Sequence, residues 1–273
     1  MPELPEVETS RRGIEPHIVN KKISDVVIRQ HKLRWPIPKA LAGKIKDQKL
    51  LQVDRRGKYL LLNFGDNDNT VIIHLGMSGS LRICTPSTPA GKHDHIDFVF
   101  SNKKVLRLTD PRKFGCVLWT DKKIEEHKLI SKLGPEPLSD QFDTDYLYAQ
   151  SRKRNCSIKT FIMNSHIVVG VGNIYASESL FMAGINPRRK AGSLSKPRCE
   201  KLLTSIRTIL EAAIEQGGTT LRDFTREHGQ PGYFAQKLQV YGRANEPCPA
   251  CNKAIKQINQ QNRSTFYCTA CQK

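Results

Sequence analysis

Four of the eight cysteines in this 273-residue chain form a regular pattern near its C-terminus. Two residues separate Cys248 from Cys251, two separate Cys268 from Cys271, and sixteen lie between the two pairs. Two pairs with this spacing can wrap one Zn²⁺ with four thiolates in a closed tetrahedral site. A closed site leaves no coordination position for a substrate. We therefore predict one structural Zn²⁺ bound by these four cysteines.

The segment between the two cysteine pairs predicts a β-hairpin with strands at 254–259 and 264–268. Its turn would carry residues 260–263 and place Arg263 at the tip, within reach of a phosphate or a groove. An ordinary exposed arginine would fit the same position. The cysteine module and the basic charge would also suit a transcription factor, so the module alone leaves the function open.

The remaining four cysteines occur singly, in or near apolar segments, which is typical of buried or inert thiols. They are Cys84, Cys116, Cys156 and Cys199. The start of the chain lacks a basic and then apolar leader, so we do not expect secretion. A reducing compartment favours metal binding over disulfides for the paired cysteines.

The chain is strongly basic, with 44 Lys and Arg against 26 Asp and Glu. Residues 1–149 carry 25 basic and 19 acidic side chains, whereas residues 150–273 carry 19 and 7. Clustered positive charge predicts a polyanion as partner, although a solvated basic face or an acidic lipid surface would also fit. The chain has no apolar run of about 18 residues, so we expect no membrane span.

The N-terminus reads Met-Pro-Glu-Leu-Pro-Glu and leads into a predicted helix at 3–18. If Met1 is removed, Pro2 becomes a secondary amine, and α-amino groups titrate near pH ~8. Such an amine can attack an electrophilic sugar carbon and hold it as an iminium ion. Glu3 could move the protons. The alternative is that the acidic residues only cap the helix.

Short β-rich segments follow this helix, and their even spacing predicts a β-sandwich or barrel. These segments are 23–30, 49–55, 58–64, 70–75, 79–84, 95–100, 103–109 and 115–120. We predict a short helix over 122–131 and a linker over 134–142, where two prolines break any regular element. Helical periodicity then appears at 143–151, 156–165, 173–184 and 195–216, and the last helix is predicted to end at Gly217-Gly218. Polar, glycine-rich residues 219–245 predict a mobile loop.

The stretch at 168–175, Val-Val-Gly-Val-Gly-Asn-Ile-Tyr, is a glycine-rich approach to a helix. Glycines let a backbone approach a phosphate closely, and a helix N-terminus favours anions. Asn173 could bind a phosphate there or serve as a plain N-cap. The basic triplet at 152–154 could add contacts to a nucleic-acid backbone or form a solvated face.

Nearly the whole chain resembles the bacterial formamidopyrimidine-DNA glycosylase family, which excises oxidised purines. The Pro-Glu-Leu-Pro-Glu start resembles this family rather than the related endonuclease VIII branch. The motifs that carry the resemblance lie at 2–9, 56–60, 74–79, 109–115, 169–179 and 239–243 and at the four paired cysteines.

The resemblance implies an α+β fold. Its N-terminal β-sandwich, headed by a catalytic helix, would span residues 1–133, and a linker would span 134–142. A helix–two-turn–helix domain would follow at 143–245, with a lesion-capping loop at about 217–234, and a zinc ribbon would end the chain at 246–273.

The resemblance also implies the activity of a bifunctional glycosylase and AP lyase acting on damaged double-stranded DNA. The cofactors would be one structural Zn²⁺ and no organic group. The run from His93 to Asp97, which could pass for a metal cluster, would hold no second metal. We expect a monomer in the bacterial cytoplasm, associated with the nucleoid and not with a membrane.

The residue roles follow from the same resemblance. Pro2 would be the nucleophile, Glu3 its acid and base partner, Lys58 the proton donor in β-elimination, and Arg263 a phosphate contact and donor in δ-elimination. DNA contacts would come from His93, Arg112, Arg154 and Asn173. The gap left by an extruded base would be filled by Met77, Arg112 and Phe114. Without the resemblance, Lys58 would read as a surface lysine and Met77 and Phe114 as strand core, although the sequence around Phe114 fits an exposed residue in a turn at least as well.

Overall fold

A computed structural model describes residues 2–65, 68–219 and 238–273. The described chain divides into two compact units. Unit 1 contains residues 2–132 together with 214–219, and unit 2 contains residues 133–213 and 238–273. Most of the predicted lesion-capping loop and of the predicted mobile loop lies outside the described residues, and the domain boundaries given above remain predictions.

Unit 1 begins with helix α1 (Leu4–Ile18) and continues with eight strands, as the sequence predicted. The strands are β1 (Ile23–Ile28), β2 (Leu50–Arg56), β3 (Tyr59–Phe64), β4 (Asn69–His74), β5 (Ser80–Cys84), β6 (Asp94–Phe100), β7 (Val105–Thr109) and β8 (Cys116–Thr120). They form two four-stranded antiparallel sheets, in the orders β1-β6-β7-β5 and β2-β3-β4-β8.

The two sheets form a sandwich because alternating apolar residues of both share one core. Leu60, Leu62 and Ile73 of one sheet and Phe98 and Leu108 of the other belong to the same buried cluster. Side chains in a strand alternate between its two faces, so this spacing fixes which face is buried. Helix α1, which begins and ends close to the predicted bounds of 3–18, adds Val7, Ile14 and Ile18 to this core.

Two short elements of unit 1 differ from the predictions. The helix predicted over 122–131 is only a 3₁₀ turn at Ile124–Glu126. A one-and-a-half-turn helix, α2 (Leu41–Ile45), was not predicted. Five residues are too few to display helical periodicity, so a helix of this length leaves little signal in a sequence.

Unit 2 contains three of the four predicted helices, α3 (Thr144–Ser151), α4 (Ile158–Ile162) and α5 (Asn173–Met182). It also contains most of the fourth, α6 (Lys196–Thr219), whose residues from 214 onward belong to unit 1. Their apolar faces meet in one core that includes Phe161, Tyr175, Leu202 and Leu210. The prediction that Gly217-Gly218 ends the last helix was wrong, because α6 continues through Thr219. Glycine costs a helix about 1 kcal/mol but does not forbid one. Among the described helices, none combines the length and apolarity that a membrane span needs.

The C-terminal ribbon of unit 2 consists of β9 (Lys256–Gln260) and β10 (Arg263–Tyr267). Gln261 and Asn262 form the turn between them, both with positive φ, as a two-residue hairpin turn requires. The turn is shorter than predicted, so Arg263 is the first residue of β10 and pairs with Gln260. The α+β class, with N-terminal sheets, a helical second part and a C-terminal cysteine module, agrees with the prediction.

Candidate nucleic-acid interface and metal centre

The first residues of unit 1 are fixed by the start of α1. Pro2 is buried, and Glu3 is only 1% exposed. The backbone N–H of Glu3 donates to the Glu6 carboxylate at 2.8 Å, and the Glu3 carboxylate accepts in return from the Glu6 backbone. This reciprocal capping box satisfies two N–H groups that a helix start leaves unpaired. The predicted capping arrangement is therefore present, and it also holds the backbone beside Pro2 in place.

Lys58 lies in the two-residue turn between β2 and β3. Gly57, the first turn residue, has φ of +56°, a conformation that glycine adopts without strain. The turn lies near His74 at the end of β4, whose Nδ1 accepts from the Gly76 N–H at 3.0 Å. Burial lowers the pKa of the His74 imidazole, and the charges of Lys58 and Arg34 lower it further, to about 4. His74 is therefore a neutral acceptor at neutral pH.

The three predicted gap-filling residues lie on two loops of unit 1 that touch each other. Met77 is 39% exposed and Phe114 is 46% exposed, although both side chains are apolar. The Arg112 guanidinium lies over the Phe114 ring at 4.7 Å from its centroid. The alternative that Met77 and Phe114 belong to the strand core is thus wrong.

The Asp110 side chain connects these two loops through hydrogen bonds to both of them. Its carboxylate is fully buried and accepts from the Ser78 hydroxyl at 2.7 Å and from the Gly115 N–H at 2.8 Å. The Ser78 hydroxyl oxygen also accepts from the Arg112 N–H at 3.2 Å. The loops pass so closely that a Cβ added at Gly76 would stand 2.4 Å from the Gly115 nitrogen. Asp110 lies in the motif at 109–115, but nothing in that motif indicates that its side chain is buried.

The run from His93 to Asp97 belongs to the structure of the β6 strand. His93 is half-buried and accepts from the Asp110 N–H through its carbonyl at 3.0 Å. The side chain of His95 contacts the Asp110 carbonyl at 2.8 Å. Asp94 pairs with Arg82, and Asp97 pairs with Arg29 and Arg107. These ion pairs explain the two buried carboxylates without a metal.

In unit 2, Asn173 is the first residue of α5, and Gly172 is the N-cap. The Asn173 side-chain oxygen accepts from the Lys159 ammonium at 2.6 Å, and its amide donates to the Ser264 carbonyl at 3.0 Å. Lys159 is 1% exposed and also donates to the Thr265 hydroxyl at 2.7 Å. Together they join the starts of α4 and α5 to strand β10. Lys159 was missed because a lone lysine in a helical segment normally indicates a solvated face.

A cavity of about 360 Å³ lies between α4 and the ribbon and brings Arg154 and Arg263 to one site. Both arginines are exposed, so the cavity presents two cations to solvent. Cys156 also lines it and is exposed, so the expectation of burial is wrong for this thiol, whereas its inertness stays a prediction. It stands in the loop just before the Ser157 N-cap of α4, where no core covers it.

Glu178 is a second buried carboxylate whose role could not be predicted from the sequence. It lies on α5, is 5% exposed, and accepts from the backbone N–H groups of Gln239, Val240 and Tyr241 at 2.8, 3.0 and 2.8 Å. Tyr241 in turn packs edge-on against Phe266 of β10, with ring centroids 5.1 Å apart. A glutamate in a helical run carries no sequence signal that it binds a distant backbone.

The four predicted metal ligands converge. The sulfur atoms of Cys248, Cys251, Cys268 and Cys271 all lie within 4.8 Å of one another, and the Cys248–Cys271 and Cys251–Cys268 distances are 3.8 and 3.4 Å. Tetrahedral Zn–S bonds of about 2.3 Å require sulfur separations of about 3.8 Å. The four sulfur atoms therefore fit one Zn²⁺ ion in a closed four-thiolate site. Among the described residues, this is the only such cluster of potential metal ligands.

Crowding of the four thiols also affects their ionisation. Burial raises the pKa of Cys268, but backbone hydrogen bonds from Cys271 and Ala270 outweigh it and lower the value to about 7. Hydrogen bonding with Cys251 raises the pKa of Cys271 to about 12. Four neighbouring thiolates repel one another, and a bound divalent cation removes that penalty.

Comparisons with known proteins identify the family. Residues 1–117 match the model of the formamidopyrimidine-DNA glycosylase N-terminal domain, and residues 133–225 match the model of the family's H2TH domain. The formamidopyrimidine-DNA glycosylases of Cellvibrio japonicus and of Enterobacter sp. are 58% and 56% identical to this chain, each over 100% of both proteins. The chain therefore belongs to the formamidopyrimidine-DNA glycosylase family.

Solved structures agree. A Lactococcus lactis complex of the family with DNA containing an abasic site has a TM-score of 0.90 at 34% identity and covers 99% of each chain. The Thermus thermophilus protein has a TM-score of 0.85 at 33% identity and covers 99% of this chain and 98% of its own. Another Lactococcus lactis complex contains a formamidopyrimidine (FAPY-dG) lesion and has a TM-score of 0.89.

The neutral state of His74 predicts a pH dependence of stability. The pKa is about 4 in the folded protein and about 6.5 in an unfolded chain, so the unfolded state takes up a proton first as the pH falls. The free energy of unfolding should decrease between pH 6.5 and 4 by up to roughly 3 kcal/mol from this group. His74→Gln should remove that part of the slope, whereas the exposed His166→Gln should retain it. An NMR titration giving a His74 pKa near 6.5 would contradict the assignment.

Proposed function

We propose that this protein is a DNA glycosylase that removes the oxidised purines 8-oxoguanine and formamidopyrimidines from duplex DNA, and that it also cuts the abasic product as an AP lyase. Family membership supports the first activity. The observation that carries the proposal is a surface on unit 1, where Phe114 exposes its ring beside the Arg112 guanidinium and Met77 exposes its side chain on the neighbouring loop.

An exposed apolar surface of this kind suits an enzyme that extrudes a base. Flipping a nucleotide out of a duplex costs a few kcal/mol of stacking and pairing. Apolar side chains can enter the gap and restore part of the stacking, and an arginine can hydrogen-bond the unpaired partner base. Asp110 keeps the two loops from collapsing onto the sheet, so the side chains stay available.

The chemistry we assign begins at Pro2. Its secondary amine attacks C1′ of the damaged nucleoside, the bond from C1′ to the base breaks, and the base leaves with a proton. Glu3 transfers protons as the sugar ring opens and the amine becomes an iminium ion. The amine exists only when Met1 has been removed, so this proposal requires processed protein.

Strand cutting follows from the iminium ion, which acidifies the sugar C2′ position. Loss of that proton expels the 3′ phosphate in β-elimination, and a second elimination expels the 5′ phosphate. We assign Lys58 to proton transfer in the first elimination. Arg263 contacts a phosphate; its guanidinium is a poor acid, so holding the leaving phosphate is the role that its chemistry favours.

The backbone of the DNA would be bound mainly through charge. Arg154 and Arg263 flank one cavity of unit 2, and the residues from 150 onward carry most of the excess positive charge. We assign His93, Arg112 and Asn173 to further contacts. Because the Asn173 amide already donates to Ser264, we expect the helix start around it to contribute backbone N–H groups to a phosphate.

The four cysteines would hold one structural Zn²⁺, which keeps Arg263 on a rigid hairpin. We further propose that the protein acts as a monomer on damaged double-stranded DNA, in the bacterial cytoplasm with the nucleoid. A non-catalytic DNA-binding protein and an endonuclease VIII-like enzyme are the alternatives, and they differ from the proposal in the tests below.

Pro2→Gly should bind lesion DNA normally but release 8-oxoguanine paired with cytosine at a rate reduced roughly tenfold or more, because the replacement amine loses its fixed position. Single-turnover base release and strand cutting measure this effect. Protein that retains Met1 is the matched control and should be inactive, since its Pro2 nitrogen is an amide. Full activity of either form would contradict the role of Pro2. Better cutting at thymine glycol than at 8-oxoguanine would favour the endonuclease VIII-like alternative.

Removal of the metal should weaken DNA binding by about tenfold or more, because the ribbon that carries Arg263 loses its order and its phosphate contact. Metal analysis should find one Zn²⁺ per chain, and Cys251→Ser should lose it. Cys84→Ser, which changes a half-buried thiol in unit 1, should retain both the zinc and the affinity. Unchanged DNA affinity after chelation would make the ribbon dispensable for binding.

A further inference from the structure

Glu8 is a charged residue buried on helix α1, and none of the roles assigned above uses it. Its side chain is 10% exposed. One carboxylate oxygen accepts from Arg12 at 2.8 Å and from Arg11 at 3.0 Å, and the other accepts from the Arg55 Nε at 3.0 Å. Burial alone would raise the pKa of Glu8, but hydrogen bonds from Arg11 and Arg12 and the nearby arginine charges lower it to about 2. Glu8 is therefore an anion throughout the physiological range.

Arg55 extends this cluster from the helix to the turn that carries Lys58. Its side chain is 13% exposed and belongs to β2. While Nε donates to Glu8, one terminal nitrogen of the same guanidinium donates to the Gly57 carbonyl at 2.9 Å. Gly57 directly precedes Lys58. One planar guanidinium thus bridges α1 and the β2–β3 turn.

Stability alone is a poor explanation for this bridge. A buried ion pair often contributes no more to stability than apolar side chains of the same volume. It does impose geometry, because the guanidinium is planar and its donors point in fixed directions. The two elements that it joins both carry residues of the proposed chemistry: α1 starts beside Pro2 and Glu3, and the turn carries Lys58.

We propose that Glu8 and Arg55 are positioning residues, which hold the Lys58 turn in register with the N-terminal end of α1. The inference rests on the proposed function, since it gives Lys58 and Pro2 successive steps of one reaction. Neither Glu8 nor Arg55 needs to touch the DNA. A displacement of the Lys58 amine by about 1 Å can lower a rate by up to about 100-fold.

The test compares base release with strand cutting in Arg55→Met and Arg55→Lys under single-turnover conditions. Both variants should lower the rate of strand cutting about 10- to 100-fold while base release falls less, because Lys58 acts after the base has left. Arg55→Lys should fail as well, since an ammonium group retains the charge but cannot reproduce the planar bridge. Affinity for DNA with an abasic-site analogue should change less than about twofold.

A double-mutant cycle with Lys58→Met separates positioning from general destabilisation. If Arg55 acts through Lys58, Arg55→Met should have no further effect on strand cutting in a Lys58→Met background. Additive losses, or strand cutting by Arg55→Met at the wild-type rate, would overturn the proposal. Glu8→Gln retains the shape of the side chain and provides the same test if the Arg55 variants do not fold.

The matched control is Glu15→Gln on the same helix. Glu15 pairs with Arg11 at 2.9 Å, so this change removes an ion pair of α1 without touching the bridge to Gly57, and the cutting rate should stay within about twofold of wild type. Wild-type protein that does not cut lesion DNA would refute the proposed function itself. Wild-type cutting that Arg55→Met leaves unchanged would refute only the positioning role.

Discussion

The Asp110 carboxylate is fully buried, and its partners are the loops that carry Met77 and Phe114. A buried polar group must be hydrogen-bonded, because its desolvation is otherwise too costly. Here the hydrogen bonds are made to a loop hydroxyl and a loop N–H group. These hydrogen bonds thus fix two irregular segments, and apolar side chains can project from them into solvent without collapsing into the core.

The same arrangement recurs in both units. Glu178 receives three consecutive backbone N–H groups at 239–241, and Lys159 binds Asn173 together with strand β10. In unit 1, Glu8 accepts from Arg55, and Arg55 donates to Gly57 in the turn that carries Lys58. In these three cases a helix or strand supplies the buried polar group, and loops, turns or element ends supply most of the partners. Loops that are held by buried hydrogen bonds would suit the proposed DNA site. The residues that contact the DNA must already be in place when the strand deforms.

The large elements could be predicted from the sequence because their signals are local. Evenly spaced β-rich segments located all eight strands of the sandwich, and helical spacing located the four later helices α3 to α6. The cysteine spacing located a cluster that the structure brings together. The resemblance supplied the residue roles. Without it, Met77 fitted the strand core and Phe114 fitted either the core or an exposed turn, and the structure exposes both side chains. Helix α2 and the last turn of α6, past Gly217, were not predicted. Short helical segments leave little signal in a sequence, and they depend on tertiary packing.

The buried charges could not be predicted for a different physical reason. Residue 110 is an aspartate and residue 178 a glutamate, but the sequence does not show that either side chain is buried. Their burial and their hydrogen-bond partners arise only when distant segments of the chain meet. Charged residues are rarely fully buried, so the expected location of each is the surface. Cys156 shows the converse, since a residue type that is usually buried stands exposed at a cavity.

Reductive trapping tests the central claim most directly. Protein from which Met1 has been removed would be incubated with borohydride and a duplex that contains 8-oxoguanine opposite cytosine, and the adduct would be mapped by peptide mass spectrometry. The account predicts a covalent protein–DNA complex joined through the nitrogen of Pro2. A trapped complex joined through another residue, or no complex at all while the lesion is bound, would contradict it.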